Sequence, residues 1–243
     1  YTLYKPNNLP DDAPLIFVLH GYGSNSKNIM RYSQMNDIAY RNGFAVCYPQ
    51  GTNNEMTGMP HWNANIKPMS SVPDSDFLTQ LAKLLQDQYK LSKENTFVSG
   101  MSNGGFMSYT LACEQSGTFK AIASVTGTMS GYDWKNCNPD YKIPILQISG
   151  TNDRTVPMDG SMSTVWGWGG APKIEDIIEN NKSKFNCFLA NDNSNGQVVV
   201  SGKNLELEKL LTELKKLNIK SVKLPVSAPV KIIFKFFKLI INY

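Results

Sequence analysis

The stretch Gly100-Met-Ser-Asn-Gly104 sets one serine between two glycines at the spacing G-x-S-x-G. That is the pattern of a sharp turn that lifts a serine hydroxyl clear of the chain. A strand-like Thr96-Phe-Val98 precedes it and a helix-like run, Gly104 to Cys113, follows. The context gives the five residues their weight. A strand–turn–helix exposes Ser102 and aims a helix N-terminus at negative charge developing beside it. Glycines are needed because side chains in so tight a turn would meet neighbouring backbone. Ser102 is therefore the candidate nucleophile for acyl transfer; the bland alternative is a glycine-rich turn carrying a bystander serine.

A second loop, His20-Gly-Tyr-Gly23, follows the apolar run Leu15 to Leu19. With the serine turn it would supply two backbone N–H donors for an oxyanion, those of Tyr22 and Asn103. His20 itself reads as a brace for its loop rather than a proton carrier, although it stands near a prospective substrate cleft. Asp153 lies in Gly150-Thr-Asn-Asp-Arg-Thr-Val-Pro157, after the strand-like Ile145 to Ile148. An acid there would orient an imidazole and stabilise its charged form; an Asx-turn aspartate is the rival. Trp62, Trp134, Trp166 and Trp168 fall in loops where a cleft could use them, Trp62 and Trp166 above all, though each alone is more often packing.

The chain holds two histidines, His20 and His61, so a Ser–His–Asp relay lacks its usual base. His61, next to Trp62, is the candidate substitute. Cys47 sits in the apolar run Gly43 to Tyr48 and reads as a buried strand residue. Cys113 and Cys137 bracket a strand-like segment and could form one disulfide. None of the four cysteines has metal-ligand spacing, and two histidines leave little for zinc, so no metal is expected. No organic cofactor is expected either, because serine acyl transfer needs only a base, an acid and an oxyanion hole.

These residues have to be positioned by an alternation of strands and helices. Leu15–Leu19, Phe44–Tyr48, Thr96–Val98, Ala121–Val125 and Ile145–Ile148 read as strands. Phe77, Leu78, Leu81, Leu84 and Leu85 make one face of a helix that Asp74 or Asp76 could cap. The pattern is that of a mostly parallel sheet covered by helices, with ligands at the carboxyl ends of its strands.

With these segments in place, residues 1 to about 170 resemble the polyhydroxybutyrate-depolymerase and feruloyl-esterase-like family of α/β hydrolases. The resemblance rests on Pro14 to Ser24, Gly43 to Pro49, Trp62-Asn63, Gly100 to Gly105, Leu111 to Cys113 and Gly150 to Asp153. It implies a serine carboxylic ester hydrolase with Ser102 as nucleophile, Asp153 as triad acid and a Cys113–Cys137 disulfide. It also implies secretion or a periplasmic location, and as substrate a small ester or polyester of a hydroxy or aromatic acid. Two departures stand out. The family shows paired acids followed by Val-Gly where this chain has Pro73 to Asp76, and only Asp74 fits. The family also carries its catalytic histidine near the C-terminus, where this sequence has none.

Beyond about Ala171 the texture turns to lysine, asparagine and glutamate. Asn204 to Leu217 is an amphipathic helix, flanked by strand candidates Val198–Val200 and Ser221–Leu224. Asn191 to Gly202 and Lys223 to Pro229 make residues of about 180–229 resemble a fragment of malonyl-CoA:acyl-carrier-protein transacylase, without that family's nucleophile turn. The rival is that Val198–Val200 and the following helix are simply the last strand and helix of the hydrolase. The expected organisation is a hydrolase core over 1–175, a small ferredoxin-like βαβ appendage over 176–230 and a basic apolar tail over 231–243. The fold class is thus an α/β-hydrolase-type, mostly parallel sheet, C-terminally incomplete. The tail reads as translated AT-rich or out-of-frame sequence, with a membrane-surface segment as the alternative.

Composition narrows the function classes. A net charge of +4, with much of the excess in the last sixty residues, is too mild and local for nucleic acid. No apolar run of about eighteen residues exists, so no membrane span is expected. An incomplete sheet would leave an uncovered edge, so self-association is expected. Three readings follow: an ester hydrolase impaired by loss of its histidine, a hydrolase scaffold that binds esters without turnover, or an inactive chimeric fragment.

Overall fold

The computed structural model describes residues 1–66, 71–150, 152–160, 171–181, 186–192, 198–199 and 212. Along the chain these form β1 (Thr2–Tyr4), β2 (Ala13–Leu19), α1 (Ser26–Ser33), α2 (Met35–Asn42), β3 (Ala45–Tyr48), α3 (Asp74–Tyr89) and β4 (Leu91–Met101). There follow α4 (Asn103–Glu114), β5 (Ile122–Val125), α5 (Gly131–Asn136), β6 (Pro144–Ser149), α6 (Ile174–Asn181), β7 (Asn186–Asp192) and β8 (Val198–Val199).

The strands hydrogen-bond in the order β1-β3-β2-β4-β5-β6-β7-β8. β3 through β7 in that order run parallel, and the short β1 and β8 close the two sides antiparallel. Parallel neighbours need helical crossovers, which cover both faces of the sheet, so the central strands are apolar on both sides. All four residues of β3 are buried, as are Leu15, Phe17, Val18 and Leu19 of β2. One face packs Leu15, Phe17 and Leu19 against α3 and α4 in the larger core, where Phe17 meets Phe119 edge-on at 5.5 Å. The other seats Val18, Val46 and Tyr48 beneath α1 and α2, through Ile29 and Ala39.

Helix α4 is buried from Asn103 to Cys113. It lies against β2, β4 and β5, so little of it faces water and its residues are small or apolar. Cys113 and Cys137 are disulfide-bonded, joining the end of α4 to the end of α5, and Cys47 is a buried free thiol. Ser130 caps α5 by accepting the N–H of Asp133. Helix α3 differs from expectation. Its N-cap is Pro73 with no side-chain cap, because the Asp74 carboxylate turns inward and accepts the N–H of Asn63 at 2.7 Å.

The division that the sequence suggests at 175/176 falls inside α6, and β7 beyond it belongs to the same sheet, pairing parallel to β6 from Pro144↔Asn186 to Ser149↔Asn191. β7 carries a short apolar centre, Cys187 to Ala190, between polar ends. Most of 193–230, the amphipathic helix of 204–217 and the tail lie outside the described residues.

Candidate active site

β4 ends at Met101 and α4 begins at Asn103, which leaves Ser102 alone in the turn with φ 53° and ψ −117°. A positive φ is costly for a residue with a side chain, and such strain persists only where surrounding structure enforces it. Three hydrogen bonds enforce it here. The Ser102 N–H donates to Val125 O at 2.8 Å, and its carbonyl accepts from the N–H groups of Gly105 and Phe106, at 2.8 and 3.0 Å. The flanking glycines are required by close approach. A Cβ on Gly100 would sit 2.0 Å from Gly104 O, and one on Gly104 would sit 2.6 Å from Leu19 O. The serine turn is thus pressed onto β2 and the loop that follows it.

That loop begins at His20, which is fully buried. Its Nε2 accepts the Gly51 N–H at 3.0 Å, so Nδ1 carries the proton and donates to Gly21 O at 2.8 Å. Burial holds the His20 pKa below its ordinary value; the bond to Gly21 O works against this, and His61 nearby adds to the depression. Both ring nitrogens are occupied. His20 thus joins its own loop to the Gly51 segment, and its burial does not fit the substrate-cleft position that the sequence suggests.

Trp62, expected beside a cleft, is also a support, with 1% of its surface exposed. Its indole N–H donates to His20 O at 2.9 Å, and its ring lies 4.9 Å from the imidazole. Its main chain is held by the Asn103 side chain, which accepts from Trp62 N at 2.7 Å and donates to Trp62 O at 3.0 Å. Sequence reasoning valued Asn103 for its backbone alone; the only hint of this pairing was a Trp-Asn dipeptide and an Asn in the serine turn. Trp166 lies outside the described residues.

His61 is buried under the Tyr22 ring, at 6.4 Å between centroids. Its Nδ1 contacts Thr52 O at 3.0 Å, and its Nε2 has no hydrogen-bond partner among the described residues. Tyr22 is half-buried and its hydroxyl meets Thr57 Oγ1, while Gly23 N donates to Pro60 O at 2.8 Å. Asp153 is half-buried after β6, two strands from β4. Its Oδ1 accepts from Thr155 N and Val156 N, at 2.8 and 2.9 Å, which makes it an Asx turn.

Behind the serine turn lie polar groups that the sequence did not single out. Asp133 accepts from Thr110 Oγ1 and from Asn65 Nδ2, both at 2.7 Å. Tyr109 donates to Gln147, whose amide holds Gly127 O at 2.8 Å. Among the described residues no cluster of His, Cys, Asp and Glu could hold a metal, and no helix is long and apolar enough to cross a membrane.

A strained serine between a parallel strand and a buried helix, with a second loop pressed against it, is the arrangement of the α/β-hydrolase fold. The chain belongs to the esterase PHB depolymerase family, whose model matches residues 1–139. It is 30% identical over 171 residues to feruloyl esterase C of Emericella nidulans, covering 67% of this chain and 58% of that protein. It is 24% identical over 185 residues to a bifunctional acetylxylan esterase/xylanase of Neocallimastix patriciarum, covering 76% of this chain and 24% of that one. The chain thus spans less than two thirds of the length of these relatives. Among solved structures, an S-formylglutathione hydrolase from Agrobacterium tumefaciens has TM-score 0.59 at 15% identity, covering 79% of this chain and 80% of that one. A Bacillus cereus carboxylesterase has TM-score 0.56 at 18% identity, covering 88% and 92%. These two support the fold alone. The transacylase resemblance of residues 180–229 is not borne out, and β7 continues the hydrolase sheet.

Proposed function

We propose that this chain is a carboxylic ester hydrolase in which Ser102 forms an acyl-enzyme. The observation that carries the reading is the enforced positive φ of Ser102 at the junction of β4 and α4, which presents the hydroxyl at the carboxyl edge of the sheet. In this reading Ser102 Oγ attacks the ester carbonyl, and the oxyanion is held by the N–H groups of Tyr22 and Asn103 at the positive end of α4. A base, His61 Nε2 or water, takes the Ser102 proton and returns it to the leaving alcohol, and a water deprotonated in the same way then releases the acid and restores the serine hydroxyl. Asp153, after β6, takes the part of the triad acid. The substrates are esters of aromatic or hydroxy acids, free or in a polymer, a class suggested by relatives named feruloyl esterase and by the PHB depolymerase family. The Cys113–Cys137 bond suits an oxidising compartment, so the protein acts outside the cytosol.

The histidines favour a second reading, a scaffold that binds esters with little turnover. The hydrogen bonds of both rings go elsewhere, to Gly51 and Gly21 from His20 and to Thr52 from His61. His61 Nε2 is the one ring nitrogen left to take a proton; otherwise water must. In serine hydrolases, loss of the histidine costs on the order of 10⁶ in kcat, and the remaining groups keep about 10³–10⁴ over water. Hydrolysis of p-nitrophenyl acetate and methyl ferulate by the chain and by Ser102→Ala decides between the two. A slow rate that vanishes in the alanine variant supports the hydrolase, and equal rates in both proteins support the binding scaffold.

A further inference from the structure

We propose that Trp62 is a positioning residue that ties the Gly21–Gly23 loop to the first turn of α4 and so fixes the spacing of the Tyr22 and Asn103 N–H groups. The proposal rests on the reading of those two groups as the oxyanion donors.

β2 and β4 pair in parallel up to Leu19↔Gly100, so the two loops leave the sheet side by side. The sheet sets their separation, but the tilt of the peptides beyond the last strand bond is set by whatever holds the loops. Trp62 is bonded to both of them. Both polar atoms of the Asn103 side chain are spent on the Trp62 main chain, and the Trp62 indole N–H reaches across to His20 O, just before Gly21. Trp62, Asn103 and His20 are all at least 98% buried. None of these bonds can be replaced by water without opening the core, so they act as rigid links.

The segment carrying Trp62 is itself held on several sides. Gly51 packs so tightly on it that a Cβ there would lie 2.2 Å from His61 O. Pro60 O takes the Gly23 N–H. Asn63 donates from its backbone to Asp74 Oδ2 at 2.7 Å and from its side chain to Val72 O at 2.8 Å. A fixed strap that grips both loops is what a two-donor hole needs, because misplacement by about 1 Å costs on the order of a hundredfold in rate.

Two variants test this. Trp62→Phe keeps a ring but removes the N–H to His20 O. Asn103→Asp keeps the acceptor for Trp62 N, removes the donor to Trp62 O and changes almost no volume, so it holds the test open if the first variant fails to fold. Amide hydrogen exchange over residues 20–24 and 102–105 is measured with p-nitrophenyl acetate kinetics, and Ser102→Ala serves as the blank. We expect exchange in the 20–24 loop to quicken at least tenfold, and kcat to fall roughly ten- to hundredfold with KM within about threefold. Unchanged loop exchange in a folded variant overturns the proposal. So does a loosened loop with kcat intact, since Trp62 would then be packing alone. If the parent chain shows no Ser102-dependent hydrolysis, the hydrolase reading fails, and the exchange measurement alone decides whether Trp62 holds the loop.

Discussion

Asp133, on α5, is 2% exposed and bonds to Thr110 of α4 and to the loop of Asn65. Burial pushes its carboxyl up to about 6; the bonds from Thr110 and Asn65 pull the other way, and Glu114 nearby adds to the rise. The folded protein therefore keeps a proton here, between about pH 4 and pH 6, that the unfolded chain has released. Stability from this group is highest at low pH and falls as pH rises through that window. Asp133→Asn removes the dependence. Between pH 4 and pH 7 the unfolding free energy of the variant, relative to the parent, should move in its favour by on the order of 3 kcal/mol, measured by urea titration at each pH. A parallel course for the two proteins would place Asp133 among ordinary carboxylates. Gly104 makes a second case at the same scale. Its missing side chain would meet Leu19 O and His20 O at 2.6 and 2.7 Å, and both are backbone. Gly104→Ala must lift α4 off β2, at a cost of about 3 kcal/mol in urea unfolding and with loss of any Ser102-dependent hydrolysis.

At the level of elements, α4 does most to organise the site. Its first turn carries Asn103, and its last is bonded through Cys113 to Cys137 at the end of α5. The bridge spans 24 residues of sequence, and closing a loop of that size in the unfolded chain removes about 3 kcal/mol of its conformational freedom. Replacing both cysteines with serine should lower the unfolding free energy by about that amount. Adding reductant should reproduce the effect in the parent and do nothing to the variant.

For the whole molecule, the question is where the hydrolase core ends. Ile174 and Ile177 of α6 are 1% and 0% exposed, and Ile177 belongs to the same core cluster as Leu15, Phe17 and Met107. If α6 and β7 complete the core, Ile177→Ala should destabilise the entire sheet by about 2–5 kcal/mol, in a single transition. If they form a separate appendage, the main transition stays put and only a minor one shifts. Tryptophan fluorescence and far-ultraviolet circular dichroism followed together in urea separate these outcomes.

Several features of this protein were legible in its residues. The strands at Leu15–Leu19, Phe44–Tyr48 and Ile145–Ile148 were apparent because apolar runs bounded by turn residues have few other uses. The Gly100–Gly104 turn was apparent because its chemistry is packed into five consecutive positions. The Cys113–Cys137 bond follows the pairing that the family resemblance implies. Other features depended on neighbours far along the chain. The apolar centre of β7 is only four residues long, and its place in the sheet is set by the parallel ladder of bonds that β6 offers it. Asp74 reads as a helix cap, yet its buried carboxylate turns inward and accepts the part-buried N–H of Asn63. Trp62 reads as a ligand-facing aromatic, yet it is buried between two loops, 41 and 42 residues from the partners it holds. Local sequence determined which residues are equipped for acyl transfer. Tertiary structure decided which of them stay partly exposed and which are buried as supports, because burial and hydrogen-bond partnership are properties of the packed chain.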